Sequence, residues 1–245
     1  MKILKIPETD STNNYVALNA SRLSDMTMVV AETQTAGRGQ RGNSWESQPG
    51  MNLTFTVFHC PSGVAVREQF AISEAAALAM VDALALSGIN ALVKWPNDIY
   101  VGNDKIAGIL IEHSITPDKI EHSRIGIGLN VNQKEFKSGA PNPISMALIS
   151  GHDHILSEIC NDVASCIERR LVDLLSEEKR TGLHSEFLAS LWRGDGKIHP
   201  FRIKETGREF DGRIAGVSPY GPISIEDVST QTTCEFAFKE IEFIL

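Results

Sequence analysis

The spacing of turn residues changes abruptly at Arg193, and this change constrains the fold more than any other feature of the chain. Before Arg193, long helix-like and strand-like segments alternate. After it, the turn clusters GDGK, KETGREFDG, SPYGP and VSTQTT separate short apolar or alternating runs. Short strands at such regular spacing are typical of a small β-barrel or β-sandwich of about fifty residues. The sequence therefore predicts an α+β domain over residues 1–192 and a small all-β domain over residues 193–245.

The composition predicts a globular protein without a broad nucleic-acid-binding face. The 245 residues are 42% hydrophobic and 22% charged, and the net charge is −8, whereas neutralising nucleic-acid phosphates requires a basic surface. No apolar run reaches the ~20 residues that span a membrane, and the first residues lack a signal-peptide core. The four cysteines are Cys60, Cys160, Cys166 and Cys234, and they show no CxxC pairing. This pattern indicates free thiols in a reducing, cytoplasmic setting, and it predicts no metal site.

Hydrophobic periodicity and turn residues predict the elements of the first domain as a mixture of strands and helices. Strands are expected at 2–6, 28–32, 51–59, 91–95, 106–112 and 124–131. Helices are expected at 12–20, 68–87, 154–176 and 184–192. Asp10 and Ser11 are candidate N-caps for the first helix, and Gly88 is a candidate terminator of the second.

A glycine-rich basic loop, Gly37-Arg38-Gly39-Gln40-Arg41-Gly42, stands out against the acidic background. Glycine lets backbone N–H groups approach an anion closely, and arginine adds a permanent charge with a fork of donors. The loop matches neither GxGxxG nor GxxxxGK[ST], so it supports neither a dinucleotide-binding nor a P-loop site. Taken alone, the loop could equally be a solvated surface turn. If it orders over a ligand, it would exclude water from a reactive intermediate.

A second charged group surrounds the tight turn of the segment KWPND, residues 94–98. Its proline and its Asn-Asp pair favour a chain reversal, which places Lys94 and Asp98 at a strand end. Lys105 opens the apolar segment KIAGILIE, where Gly108 indicates close approach of a ligand or another backbone. Each element alone could be ordinary turn chemistry. Together with the basic loop, they predict a site that holds two anions side by side, as needed to join a carboxylate to a nucleotide phosphate.

Five motifs in this order resemble those of the biotin–protein ligases. They are DSTN at 10–13, the loop at 37–42, KWPND at 94–98, KIAGILIE at 105–112 and GIGLN at 126–130. The resemblance covers nearly the full length and implies a mixed-sheet catalytic domain of the biotin/lipoate ligase type, followed by a small SH3-like β-barrel. Only nine residues precede Asp10. We therefore expect the monofunctional form, without the N-terminal DNA-binding domain that some members carry.

The resemblance implies a role for each matching position. The biotin site would comprise Ser11, Thr12, Asn13, Gln34, Arg38, Gly39, Gln40, Lys105 and Gly108. The nucleotide site would comprise Arg38, Arg41, Trp45, Lys94, Asn97 and Asn130, with Trp45 packing against adenine. Lys105 and Arg38 would neutralise charge during adenylation. Asp98 would orient or deprotonate the acceptor amine, although binding Mg²⁺ or supporting the turn are alternatives.

The implied activity uses ATP with Mg²⁺ to convert biotin to biotinyl-5′-AMP, then transfers biotin to a lysine of a biotin carboxyl carrier protein or domain. No permanently bound cofactor, nucleic acid or membrane is implied. The alternatives are a lipoate–protein ligase or octanoyl transferase of the same fold, and a non-catalytic regulator that binds biotin or its adenylate. Members of the family also pair sheet edges into homodimers, but this sequence marks no such interface.

One position departs from the family pattern. The fourth residue of the glycine-rich loop is usually basic, and here it is Gln40. The substitution removes a charge expected beside the adenylate, while the amide can still donate hydrogen bonds. We expect altered retention or affinity of the intermediate without a change of reaction.

Overall fold

The computed structural model describes residues 1–137 and 142–245, and for Arg41 the backbone alone. Within these ranges, the first sheet has seven strands in the order β1-β2-β3-β7-β6-β5-β4. Their bounds are β1 (Lys2–Thr9), β2 (Thr27–Gln34), β3 (Leu53–His59), β4 (Leu92–Lys94), β5 (Asp98–Val101), β6 (Asp104–Ile115) and β7 (Ile120–Leu129). β1 and β2 are parallel, and the other neighbouring pairs are antiparallel. The mixed sheet predicted from the sequence is confirmed.

Among the described residues, five α-helices accompany this sheet. They are α1 (Thr12–Asn19), α2 (Phe70–Leu86), α3 (Met146–Ser150), α4 (Leu156–Asp173) and α5 (Glu177–Ala189). α2 packs against α4 and α5, and it buries Ile72, Leu78 and Met80 completely or nearly so. The segment Val66–Leu86 is long and apolar enough to cross a membrane by length and composition, but 67% of its apolar window is buried inside the protein. α2 is thus the central helix of the core.

The predicted elements of the first domain are present, with shifted ends and three differences. β5 and α3 were not expected, since four and five residues are too short to show a periodicity. The fourth predicted helix begins at Glu177 instead of 184. Its N-cap is Ser176, whose side chain accepts a hydrogen bond from the backbone of Lys179. Ser11 does occupy the N-cap position of α1, but its side chain makes no capping bond.

Residues 193–245, all of them described, form a second, antiparallel sheet of five strands in the order β11-β10-β9-β8-β12. The strands are β8 (His199–Ile203), β9 (Glu209–Val217), β10 (Ile223–Asp227), β11 (Thr232–Phe236) and β12 (Ile241–Phe243). This arrangement is consistent with an SH3-like domain. Within the described part of the chain, no pairing of β11 with β12 closes the sheet into a barrel.

Two tryptophans fasten the second sheet to the first. The Trp95 indole N–H donates to the carbonyl of Gly221 at 2.8 Å. The Trp192 ring packs between Tyr100 and Phe243, with ring centroids 5.3 and 5.8 Å away. Because Trp95 belongs to the 94–98 turn, the second sheet is held beside that turn and its charged residues.

A buried carboxyl group makes the stability of the helical layer depend on pH. Glu74 on α2 is 2% exposed, and its Oε1 lies 2.6 Å from Nδ1 of His184 on α5. Burial raises the pKa of Glu74 from 4.5 to about 7, against an opposing effect of the His184 hydrogen bond. The pKa of Glu74 is higher in the folded state than in the unfolded state. The protonated carboxyl group therefore contributes fully to the free energy of unfolding below pH 4.5, and this contribution is lost as the pH rises through 7.

We therefore predict that the wild-type protein, measured relative to Glu74→Gln, loses on the order of 2 kcal/mol of unfolding free energy between pH 5 and pH 8. Gln keeps the shape of the side chain but cannot ionise, so the variant removes the titration without opening a cavity. Urea denaturation of both proteins at the two pH values measures the difference. Parallel pH profiles of the two proteins would contradict the prediction.

Candidate functional site

A cleft of about 960 Å³ opens between the first sheet, the start of α1 and the second sheet. Its lining includes every predicted site residue whose side chain is described: Ser11, Thr12, Asn13, Gln34, Arg38, Gly39, Gln40, Trp45, Lys94, Asn97, Asp98, Lys105, Gly108 and Asn130. The Arg41 side chain lies outside the described residues. We call this cavity the central cleft. Its lining comes from the β1–α1 turn, the loop after β2, the β4–β5 turn, β6 and the end of β7.

Glycines form the floor of the central cleft. Gly108 on β6 and Gly128 on β7 are cross-strand partners, and a Cβ atom at either position would collide with the ring of Trp45. A Cβ atom at Gly126 would collide with the side-chain amide of Asn13. The close approach predicted at Gly108 is therefore made by Trp45, which follows the glycine-rich loop. Because these three glycines have no side chain, they leave a flat surface on which the Trp45 ring and the Asn13 amide lie.

One end of the cleft is polar and buried. Ser11, Thr12 and Asn13 are 2–4% exposed at the start of α1. Gln34 Oε1 accepts hydrogen bonds from the backbone N–H and the hydroxyl of Thr12, at 2.7 and 3.1 Å. The Thr56 hydroxyl lies 2.8 Å from Thr12 Oγ1 and 2.6 Å from Asn13 Oδ1. These contacts fix the orientation of the polar groups in advance of any ligand.

Thr56 supports this polar end and was not predicted from the sequence. Its signal was the regular alternation of β3, in which every second residue from Thr54 onward faces the same side of the sheet. That side faces α1, because Thr56 contacts the residues at the helix start.

A lysine and an aspartate form one unit in the middle of the cleft. Lys105 Nζ lies 2.7 Å from Asp98 Oδ1, and both side chains are about one quarter exposed, at 25% and 27%. The turn that carries Asp98 is pinned to β6, because Ile109 N donates to the carbonyl of Asn97 and the Asn97 amide donates to the carbonyl of Ile109. The sequence predicted both charged residues but not their direct ion pair.

Lys94 lies against aromatic rings that belong to both sheets. Its Nζ donates to the hydroxyl of Tyr100 at 2.9 Å. The same atom lies over the rings of Tyr100, Trp192 and Phe243, at 4.6, 5.4 and 5.8 Å from their centroids. Burial lowers the pKa of Lys94, while the charge of Asp98 acts in the opposite direction. Lys94 thus brings a partly desolvated positive charge to the cleft at the junction of the two sheets.

The glycine-rich loop is closed over the floor of the cleft. Gly39 N donates to the carbonyl of Asn43 at 2.7 Å, and Trp45 N donates to the carbonyl of Gly37 at 2.9 Å. These bonds lay the Trp45 indole on the glycine floor, with its ring centroid 5.6 Å from Lys105 Nζ. Trp45 was expected to pack against adenine, and the structure places its ring on the sheet surface.

Arg38 fastens the same loop to the sheet. Its Nη2 lies 3.0 Å from Oε1 of Glu112, the last residue of the KIAGILIE segment, and its Nη1 donates to Asn14 Oδ1 at 2.8 Å. The guanidinium expected to neutralise a phosphate is therefore paired with a carboxylate at the edge of the cleft.

Three buried polar atoms of the cleft have no hydrogen-bond partner among the described residues: Gln40 Oε1, Trp45 Nε1 and Asn130 Oδ1. Buried polar groups are nearly always paired, so such atoms mark where a ligand or water completes the site. Asn130 is held in place by its own amide, which donates to the carbonyl of Ile144 at 3.0 Å. All three residues were predicted from the sequence.

The second sheet also lines the cleft, which no motif had indicated. Arg202 and Lys204 on and after β8 bring positive charge, and Phe243 on β12 brings an aromatic wall. Arg202 is already paired with Glu209 and Glu242, at 2.7 and 3.0 Å. These contributions depend on how the two sheets dock, so no local pattern could have revealed them.

The chain is similar to known protein ligases. The model of the biotin/lipoate A/B protein ligase family matches residues 6–130. The chain is 33% identical to the bifunctional ligase/repressor BirA of Salmonella typhimurium over 90% of this chain and 68% of that protein. It is 36% identical to the biotin–[acetyl-CoA-carboxylase] ligase of Paracoccus denitrificans over 60% of this chain and 63% of that protein. It spans 53% of the BirA of Bacillus spizizenii, at 32% identity over 70% of this chain.

Solved structures show the same fold over almost the whole chain. The biotin protein ligase of Aquifex aeolicus in complex with biotin and ATP superposes with a TM-score of 0.80 at 23% identity, covering 99% of this chain and 98% of the other. The biotin protein ligase of Leishmania major in complex with biotinyl-5-AMP gives 0.62 at 21% identity, covering 96% and 98%. With the family model matching half of its residues and a 33% identical relative aligned along most of its length, the chain belongs to the biotin/lipoate A/B protein ligase family.

Proposed function

We propose that this chain is a biotin–protein ligase. It activates biotin with ATP to biotinyl-5′-AMP and then transfers biotin to a specific lysine of a biotin carboxyl carrier domain. The proposal is supported by relatives named as biotin ligases and by a similar fold in proteins solved with biotin, ATP or biotinyl-5-AMP. The chain spans about half to two thirds of the curated relatives it matches, so the activity is inferred from the site itself.

One observation carries the proposal: the glycine floor joins a buried polar end to the Lys105–Asp98 pair within a single cleft. Biotin has the complementary layout, with a ureido ring that donates and accepts hydrogen bonds at one end and a carboxylate at the other. The polar end would take the ring, and Lys105 would take the carboxylate. The remaining cleft, toward Lys94 and Asn130, would take the nucleotide.

The same polar end argues against lipoate or octanoate as the substrate. Neither a dithiolane ring nor an alkyl chain can pair with the buried groups of Thr12, Asn13 and Gln34. A ligand without hydrogen-bonding groups gains no bond to these side chains, whereas the ureido ring of biotin can both donate to them and accept from them. We therefore infer that biotin is preferred over the substrates of the sister enzymes.

The first step needs charge neutralisation more than proton transfer. The biotin carboxylate is ionised at pH 7, and one of its oxygens attacks the α-phosphorus while the bond to pyrophosphate breaks. Lys105 would offset the repulsion between the carboxylate and the triphosphate, together with the Mg²⁺ that arrives with ATP as part of the substrate. Among the described residues, no group of three His, Cys, Asp or Glu side chains is placed to hold a resident metal.

The second step requires a neutral amine. The acceptor lysine has a usual pKa near ~10.4, so it must lose a proton before its nitrogen attacks the carbonyl of the mixed anhydride and AMP leaves. Asp98 is the last residue of the 94–98 turn, and its Oδ1 lies 2.7 Å from Lys105 Nζ. We infer that the Asp98 carboxylate orients or deprotonates the incoming amine.

The rest of the assignment follows from the same proposal. We infer a catalytic domain over 1–192 and a C-terminal domain over 193–245, supported by the second sheet beginning at His199. A biotin carboxyl carrier protein is the acceptor class. A cytoplasmic setting is supported by the free thiols of Cys60, Cys160, Cys166 and Cys234.

Pyrophosphate release tests the proposal. The protein is incubated with ATP, Mg²⁺ and either biotin, lipoate or octanoate, and a carrier domain is then added. We expect release that depends on biotin, followed by a mass gain on one carrier lysine. Activity only with lipoate or octanoate would assign the chain to the sister enzymes, and inactivity with all three would indicate a binding protein.

Gln40 leads to a prediction about the intermediate. An arginine at this position places a guanidinium where the buried Gln40 Oε1 lacks a partner among the described residues. We expect Gln40→Arg to slow the escape of biotinyl-5′-AMP by about tenfold, because a charge-assisted hydrogen bond to its phosphate is gained. A pulse of labelled adenylate chased with unlabelled biotin gives the escape rate. Thr35→Arg adds the same charge at an exposed position that does not line the central cleft, and equal slowing by both variants would contradict the prediction.

A further inference from the structure

We propose that Glu112 is a positioning residue for biotin, one that links the polar end of the cleft to the glycine-rich loop. Its carboxylate holds Asn13 on one side and Arg38 on the other. The proposal rests on the biotin site proposed above and adds a residue that none of the predicted site roles includes.

The two oxygens of Glu112 serve two separate parts of the chain. Oε2 accepts a hydrogen bond from Asn13 Nδ2 at 3.1 Å. Oε1 lies 3.0 Å from Arg38 Nη2. Arg124, the cross-strand partner of Glu112 on β7, adds a second positive charge at 3.8 Å from Oε2. The carboxylate is 27% exposed, so it is partly withdrawn from water.

The Asn13 contact orients a group that faces biotin. The Asn13 amide donates to Glu112 and, at 3.3 Å, to the carbonyl of Leu110, while its Oδ1 lies 2.6 Å from the Thr56 hydroxyl. Asn13 is 3% exposed and lies directly above Gly126. Its amide therefore has one orientation, and Glu112 is among the groups that set it.

The Arg38 contact attaches the loop to the sheet. Backbone bonds between Gly39 and Asn43 and between Gly37 and Trp45 give the loop its shape, but they lie within the loop. Arg38 reaches across to Glu112 on β6 and to Asn14 on α1. Glu112 thus couples the pocket for the biotin ring to closure of the loop above it.

The chemistry of the carboxylate makes this coupling specific. Both Asn13 Nδ2 and Arg38 Nη2 are donors, and an ionised carboxylate offers an acceptor to each. Glutamine has the same shape but only one acceptor oxygen, so Glu112→Gln satisfies one partner and turns an N–H group toward the other. Partly exposed ion pairs contribute little to folding stability, so the main effect falls on biotin binding.

Biotin binding by variants of the full chain tests the proposal, with dissociation constants from calorimetry and escape rates from stopped flow. We expect Glu112→Gln to weaken biotin binding by about tenfold, mainly through faster escape, with an unchanged melting temperature. The KM for ATP at saturating biotin should change less than the dissociation constant of biotin, because Asn13 belongs to the biotin site alone whereas Arg38 belongs to both sites. Asp173→Asn, which breaks an exposed ion pair with Lys179 outside the cleft, is the matched control and should leave all of these values unchanged.

A double-mutant cycle with Arg38→Gln tests the link itself. If Glu112 acts partly through Arg38, the loss of biotin affinity in the double variant is smaller than the sum of the two single losses, whereas fully additive losses would overturn the coupling. Wild-type affinity for biotin from Glu112→Gln would overturn the positioning role. A wild-type protein that binds no biotin would instead remove the proposed function, so the two failures are distinguishable.

Discussion

Lys105→Met is expected to slow formation of biotinyl-5′-AMP by about 10²- to 10³-fold, the usual effect of removing one group that stabilises developing charge. The reason is electrostatic: the Lys105 ammonium lies in the middle of the cleft, where the carboxylate of biotin and the α-phosphate must meet. Methionine keeps most of the length and apolar surface of the lysine stem, so packing against Trp45 and Gly108 is largely preserved. Single-turnover conversion of ATP and biotin to the adenylate measures the effect.

The ion pair with Asp98 requires a control, because Lys105→Met also leaves the Asp98 carboxylate without its 2.7 Å partner. The double variant Lys105→Met/Asp98→Asn removes that unpaired charge. If the rate remains low in the double variant, the missing ammonium is the cause. Recovery to near the wild-type rate would show that Lys105 only balances Asp98, and the catalytic role would be wrong.

Asp98→Asn is expected to separate the two chemical steps. Transfer of biotin from the preformed adenylate to the carrier lysine should fall by about 10²- to 10³-fold, within the range typical of general-base catalysis. Adenylate formation should fall less than about tenfold, because Lys105 retains its charge and an amide can still accept its hydrogen bond. The two rates are measured separately, first with ATP and biotin alone and then with purified biotinyl-5′-AMP and carrier.

The pH profile of biotin transfer distinguishes a role of Asp98 as a general base from a role in supporting the 94–98 turn. Without a base, the Asp98→Asn variant depends on the fraction of carrier lysine that is already neutral, so its transfer rate should rise about tenfold per pH unit below the amine pKa. Undiminished transfer would exclude Asp98 as the base. Equal losses in both steps would show that Asp98 acts by holding Lys105 and the 94–98 turn in place.

Much of the architecture was accessible from local patterns. The strands and helices of the first domain follow from periodicity, and the change at Arg193 anticipated the second sheet. The short elements β5 and α3 were not predicted, because their formation depends on the elements that pack beside them. In β5, for example, Ile99 and Tyr100 are 0% and 2% exposed between β4 and β6. The roles assigned to the site residues remain predictions, but their convergence on one cleft is a property of the structure.

The sequence by itself determined the residue type at each position of the site. It places glycines without side chains on the floor of the cleft, charged residues beside a tight turn, and polar residues at the start of α1. These are local properties, set by backbone freedom and by side-chain chemistry within a few residues. Only the tertiary structure decided the pairs: Lys105 with Asp98, Arg38 and Asn13 with Glu112, and Trp45 on Gly108 and Gly128. Such pairs join residues up to 99 positions apart, so they depend on strand register and sheet docking that no local pattern encodes.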